Sequence, residues 1–113
     1  MDRRRHLRFD LHVPARIGFC EMDWVTLPAR TKNIGSGGVL LISEKEPHVG
    51  EVIEYLITLG NSAEGSAGLR CRGTVLRLRQ VYSAGQPVFE MAVTMGRRQF
   101  VSPEAAPSLK RRR

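Results

Sequence analysis

The N-terminal end of this chain concentrates arginine, a side chain well suited to bind phosphate. Four arginines fall within the six positions from 3 to 8, namely Arg3, Arg4, Arg5 and Arg8. The planar guanidinium group can pair with two phosphate oxygens at once or with the O6/N7 edge of a guanine, and it can also lie flat on a purine. The cluster therefore indicates binding of an anion or a nucleotide.

The charge of the whole chain also favours an anionic partner. The formal net charge is +7 at pH 7, and the sequence pI is about 10.4. Further cationic groups lie in the middle segment 70–79 and in the closing segment 110–113. Such an excess favours an anionic partner, which by charge alone is a nucleic acid, a phosphorylated small molecule or an acidic protein surface.

A glycine-rich segment follows at residues 33–38, with the sequence Asn-Ile-Gly-Ser-Gly-Gly. Glycine tolerates positive φ, so one interpretation is a plain tight turn between two strands. The segment is not a P-loop, because it lacks the Lys-Ser/Thr ending and no helix follows. It also lacks the GxGxxG spacing of a dinucleotide-binding fold.

Neither a metal site nor an enzyme is indicated by the remaining reactive side chains. The two cysteines show no CxxC spacing, and the three histidines share no ligand spacing with a cysteine or carboxylate. We expect the cysteines to be small buried apolar residues, with no metal and no cofactor. Glu44, Glu46 and His48 are typical of an exposed charged turn, and Ser36 has no nearby base, so we expect no catalysis.

The elements that carry these residues are predicted to be strands. Apolar residues alternate with polar ones in most of six segments, and no convincing helical period occurs before residue 97. The six predicted strands are 13–19, 25–33, 39–43, 51–59, 69–79 and 88–95. Six short strands with this spacing predict an all-β fold, a six-stranded antiparallel β-barrel. A phase slip around Gly73 predicts a β-bulge, and residues 60–68 predict a mobile hairpin loop.

The chain divides into three parts on this interpretation. Residues 1–12 form a flexible arginine-rich arm, residues 13–96 form the barrel, and residues 97–113 form a basic tail. Ser102 can cap a short C-terminal helix that has Pro103 in its first turn.

No apolar run is long enough to span a bilayer, and no secretory signal is evident, so we expect a cytoplasmic protein without a membrane span.

Two motifs in this arrangement resemble those of the PilZ domain, the bacterial receptor module for cyclic di-GMP. Residues 4–8 fit the RxxxR motif that precedes the first strand of that family. Residues 33–38 fit the [DN]xSxxG motif between its second and third strands at the first and last positions, with Gly35 where the family usually has serine. The segments 53–59, 73–77 and 89–93 are also similar to the family pattern.

The resemblance implies a receptor for cyclic di-GMP, a second messenger with two phosphates and two guanines. The arm and the turn would close on this ligand as a clamp, order the arm and present a new surface to an unidentified protein partner. The missing hydroxyl at residue 35 is expected to affect affinity rather than fold. The residues expected to bind the ligand are Arg4, Arg5, Arg8, Asn33, Gly35, Ser36 and Gly38.

Two alternatives remain open from the sequence. The first is a small basic barrel that binds single-stranded nucleic acid, which would need aromatic platforms for base stacking. Trp24 and Tyr82 are the available aromatics outside the predicted apolar strand faces, so binding of nucleic acid is the less favoured interpretation. The second is a degenerate PilZ adaptor that binds no nucleotide and contacts only a protein.

Overall fold

Antiparallel strand pairing closes this chain into a barrel. The structure, a computed structural model, describes residues 8–19, 26–62 and 65–102. Six of its strands pair around the circle β3-β2-β5-β6-β7-β4 and back to β3, which confirms the predicted six-stranded antiparallel barrel. The described residues contain no helix and eight strands, which are β1 (Arg8–Asp10), β2 (Pro14–Phe19), β3 (Thr26–Gly35), β4 (Gly38–Ser43), β5 (Val52–Ser62), β6 (Gly65–Ser83), β7 (Gln86–Thr94) and β8 (Arg98–Val101).

The alternating apolar residues fill the interior of the barrel. On β5, the residues Ile53, Tyr55 and Ile57 are all buried, as their period of two predicts. On β4 the continuous apolar run also alternates: Val39 and Leu41 lie in the core, whereas Leu40 and Ile42 are half-buried on the outer face. The core cluster consists of Ala15, Ile17, Val39, Leu41, Ile53, Tyr55, Ile57, Cys71, Val75, Met91 and Val93.

Two short strands lie outside the predicted set. β1 pairs with β3, although residues 1–12 were predicted to form a flexible arm. β8 pairs with β6, although residues 97–113 were predicted to form a tail. Both are edge strands with few apolar residues, so their pairing depends on a free neighbouring edge, which a local sequence pattern does not report. Arg4, Arg5 and the proposed C-terminal helix from Pro103 lie outside the described residues.

Two local predictions about β5 and β6 are wrong. The predicted loop at residues 60–68 is shorter than expected, since Ser62 lies opposite Gly65 and Leu59 opposite Ala67. The bulge predicted at Gly73 lies instead between Val75 and Arg77, where β6 slips against β7. The extra residue there is Leu76, which is exposed.

Gly73 serves a different purpose, the close approach of two backbones. A Cβ atom built on Gly73 would lie 1.9 Å from the carbonyl oxygen of Thr94 at the end of β7. No side chain fits in that distance, so the glycine allows β6 to pass directly against the end of β7.

A buried carboxylate ties three strands together on the outer face. Lys32 is the extra residue of a bulge in β3, and its Nζ lies 2.8 Å from Oε2 of Glu90 on β7. Nη2 of Arg79 on β6 lies 2.7 Å from the other oxygen. The hydrogen bond from Lys32 is the largest influence on the pKa of Glu90 and lowers it; burial opposes this, and the bond from Arg79 adds to the lowering.

Replacing Gly73 with alanine is expected to destabilise the barrel by about 3 kcal/mol, because the new methyl group forces β6 away from Thr94. Denaturant unfolding followed by circular dichroism measures the change. Leu76→Ala on the same strand is the matched control, and we expect it to change stability by less than about 0.5 kcal/mol because Leu76 is exposed. Equal stability of the Gly73→Ala variant and the wild type would contradict the close approach.

Glu90→Gln is expected to cost roughly 1–2 kcal/mol at pH 7, because it removes the charge from two hydrogen-bonded ion pairs. The pKa of Glu90 is lower in the folded state than its ordinary value of 4.5. This stabilisation is therefore present above about pH 4.5 and is lost as the pH falls through the lowered pKa. Unfolding free energies measured from pH 7 to pH 3 should converge for wild type and variant, whereas Glu46→Gln in the exposed turn should match the wild type throughout.

Candidate functional site

The two sequence motifs meet through backbone pairing at one end of the barrel. β1 runs antiparallel to the end of β3, and its register places Arg8 opposite Gly35 and Asp10 opposite Asn33. Paired residues on antiparallel strands have Cα atoms about 4.5–5.5 Å apart. The last residue of the RxxxR motif therefore lies directly beside the glycine-rich turn.

Buried Thr31 holds the chain that leads from β1 into the barrel. Its backbone N–H donates to the carbonyl of Val13 at 3.0 Å, and its Oγ1 accepts the N–H of Val13 at 3.0 Å. The hydroxyl of Thr31 also donates to the carbonyl of Leu11, and the N–H of Leu11 donates to the carbonyl of Lys32 at 3.3 Å. These bonds fix the segment after β1 along β3 and so keep Arg8 near the turn.

The turn between β3 and β4 is anchored to the end of β7. Gly38 lies opposite Thr94, and the N–H of Met95 donates to the carbonyl of Gly37 at 3.3 Å. A Cβ on Gly38 would lie 2.7 Å from the carbonyl oxygen of Val93, so a glycine is needed where the turn enters β4. Ser36 and Gly37 are exposed at the tip, where a ligand can approach the backbone.

The structure brings together those predicted site residues that it describes. Arg8, Asn33, Gly35, Ser36 and Gly38 all lie on β1, at the end of β3 or in the turn that follows. Asn33 is half-buried and lies opposite Leu40 on the outer row of β4.

Sequence interpretation missed the segment that follows β7. Met95 lies beside the turn, where it contacts Gly37, and the chain then crosses β6. The N–H of Gly96 donates to the carbonyl of Arg72 at 3.0 Å, and the N–H of Arg72 donates to the carbonyl of Arg97 at 3.2 Å. The exposed arginines of this segment were assigned to a tail. The one available signal was the arginine pair at 97 and 98 directly after a predicted strand.

Two titratable side chains of the core, Cys71 and Tyr55, are buried and neutral at pH 7. Burial raises the pKa of the Cys71 thiol to about 11, so this cysteine is not a nucleophile at neutral pH. The hydroxyl of Tyr55 donates to the carbonyl of Thr94 at 2.9 Å, and burial raises its pKa as well. Among the described residues, no group of three or more His, Cys, Asp or Glu side chains could hold a metal ion.

A separate cleft of about 520 Å³ lies toward the other end of β4. It is bordered by Ser43 and Glu44 at the end of that strand and by the β6–β7 hairpin. Arg30 and Glu44 bring opposite charges to its wall, so it offers an anion no clear electrostatic preference. The arginine-bearing end of the barrel is the better candidate for the anionic partner that the net charge indicates.

Comparison with known proteins places this fold and these motifs in one family. None of the curated proteins matches the sequence. Among solved structures, the Bacillus subtilis inhibitor of motility (MotI/DgrA) is similar with a TM-score of 0.66 and 17% sequence identity. The similarity covers 86% of this chain but 44% of that protein, so this chain spans less than half of its length.

The described residues contain no helix long and apolar enough to cross a membrane.

The sequence matches the PilZ domain family over residues 2–99, a range that includes both motifs and every strand of the barrel. The chain therefore belongs to the PilZ domain family.

Proposed function

We propose that this chain is a receptor domain for cyclic di-GMP that binds the dinucleotide between its N-terminal arginines and the turn at residues 35–38. The observation that carries the proposal is the pairing of Arg8 with Gly35, which joins the two motifs at one place. The family and the net charge of +7 support the same ligand class. The domain acts as a binding module without catalysis, cofactor or metal.

The chemistry of the two motifs complements the chemistry of the ligand. The two phosphates of cyclic di-GMP each accept a bidentate guanidinium, and each guanine offers an O6/N7 edge and a ring face. Arg4, Arg5 and Arg8 supply the guanidinium groups. Asn33 can both donate to and accept from a guanine edge, and the glycines let backbone N–H groups come close to a phosphate.

Ligand binding would also change the surface that the domain presents to a protein partner. Arginines 4 and 5 repel each other and Arg8, so a bound dianion lowers the cost of bringing residues 2–8 together across the barrel end. The ordered arm then presents a new surface to a protein partner. Because cyclic di-GMP is made inside bacterial cells, we place this receptor in the bacterial cytoplasm.

Arg8→Ala is expected to weaken binding of cyclic di-GMP at least tenfold, because a charge-assisted bidentate contact is lost. Isothermal titration calorimetry measures the affinity. Arg30→Ala is the matched control, since Arg30 is an exposed arginine on β3 that borders the separate cleft toward the other end of β4, and we expect unchanged affinity. Equal loss in both variants would instead indicate a general charge effect.

Gly35→Ser restores the residue that the family usually carries. The hydroxyl adds one hydrogen bond, worth about 0.5–1.5 kcal/mol, so we expect affinity to rise roughly two- to tenfold. The φ angle of Gly35 is not positive, so serine fits the backbone. Gly37→Ser, the same change two residues further along the turn, is the control and should not improve binding. Unchanged affinity in the Gly35→Ser variant would show that the position does not contact the ligand.

The same titrations separate the two alternatives. A nucleic-acid-binding barrel would bind any single-stranded oligonucleotide with a steep dependence on salt, whereas specific binding of cyclic di-GMP persists at moderate salt. An adaptor that binds no nucleotide would show no heat with the wild type, Arg4→Ala or Arg8→Ala. Hydrogen exchange tests the signal: protection of residues 2–7 should increase on ligand binding, and unchanged protection there would refute ordering of the arm.

A further inference from the structure

One face of β8 continues the core-facing side of β6. Its register with β6 places Arg98 opposite Cys71 and Phe100 opposite Leu69. Directly paired residues of antiparallel strands project to the same face of the sheet. Because Cys71 lies in the core and Leu69 packs against it, Arg98 and Phe100 are on the core side of β8.

Gln99, the residue between Arg98 and Phe100, shows that the side chains of β8 alternate between its two faces. Gln99 lies opposite Arg70, and Nη2 of Arg70 donates to Oε1 of Gln99 at 3.1 Å. The Gln99 and Arg70 side chains thus meet on the outer face. Arg98 and Phe100 are therefore left together on the other face, with Cα atoms about 7 Å apart, since a strand rises about 3.4 Å per residue.

Arg98 is also close to the glycine-rich turn. Its Nη1 lies 3.8 Å from Sδ of Met95, and the N–H of Met95 donates to the carbonyl of Gly37. A thioether is a weak acceptor and leaves most of the guanidinium donors available. Among the described residues, no carboxylate forms an ion pair with Arg98. One residue thus links this guanidinium to the tip of the candidate site.

Phe100 is exposed although it lies on the core side. It keeps 73% of its surface accessible, because β8 extends along β6 past the end of the closed barrel. An aromatic ring in this position gives little to the core. Beside the guanidinium of Arg98, it forms a platform of the kind on which a base stacks.

We propose that β8 is a further wall of the cyclic di-GMP site, on which Phe100 stacks against a guanine and Arg98 pairs with a phosphate. This inference rests on the proposed function and adds residues that belong to neither family motif. The ring and the guanidinium share a face and a spacing that suit one nucleotide. The turn and the N-terminal arginines would hold the ligand from the other side.

Calorimetry with cyclic di-GMP on the full chain tests the inference. We expect Phe100→Ala and Arg98→Ala each to weaken binding about tenfold, as loss of a stacked base or a bidentate contact predicts. Phe100→Trp should retain affinity and Phe100→Leu should lose it, because a ring face and not apolar bulk is required. Arg98→Lys should bind with an affinity between those of Arg98→Ala and wild type.

Matched controls come from the part of the barrel away from β8. Tyr82 on β6 is 71% exposed, and Arg30 on β3 is exposed beside the separate cleft, so Tyr82→Ala and Arg30→Ala should bind like wild type. Thermal melting of each variant separates loss of contact from loss of fold. Because Phe100 is exposed, we expect the melting temperatures of the Phe100 variants to stay near that of the wild type.

The outcomes distinguish this inference from the function on which it rests. If wild type binds, Arg8→Ala does not, and the β8 variants bind like wild type, then β8 is not part of the site and the receptor function stands. If Phe100→Leu binds as tightly as wild type, stacking is overturned. If wild type binds no cyclic di-GMP, the proposed function and this inference both fail.

Discussion

The pairing of β3 with three other strands holds together both the barrel and its candidate site. Its first half pairs with β2, its second half pairs with β4 and closes the barrel, and its last residues pair with β1. The bulge at Lys32 sets the phase between these halves, so that Thr31 and Ile34 both face inward. The backbone that closes the barrel is therefore the one that positions the turn and Arg8.

The barrel was predictable because its core follows a local rule, whereas its edges do not. Ile53, Tyr55 and Ile57 recur at every second position of β5, and this period of two predicts which side of the strand is buried. β1 and β8 carry no such pattern, because they pair by backbone with whichever edge is free. Gly73 indicated a constraint on the backbone but not its kind: glycine occurs both in bulges and where two backbones approach closely, and only the position of Thr94 shows that the second applies here.

The candidate site, like the fold, has parts that the sequence predicts and parts that it does not. Residue types identified the arginine arm and the turn, since phosphate and guanine recognition require particular side chains at short spacing. That Arg8 lies beside Gly35 is a matter of strand register, which the sequence shows only through family resemblance. Arg98 and Phe100, which we propose as a further part of the site, were not predicted because their placement depends on pairing with a distant segment of β6.

The filled interior decides where a ligand can bind. Tyr55, Ile17 and Met91 are fully buried in the core, and a six-stranded barrel of this kind has no room for a nucleotide among them. A binding surface must therefore be built from the elements at the barrel end. β1 and β8 are three and four residues long and lie on different strands at that end, β1 on β3 and β8 on β6. Such short strands can be ordered or shifted by a ligand at small cost, while the closed barrel keeps its packing.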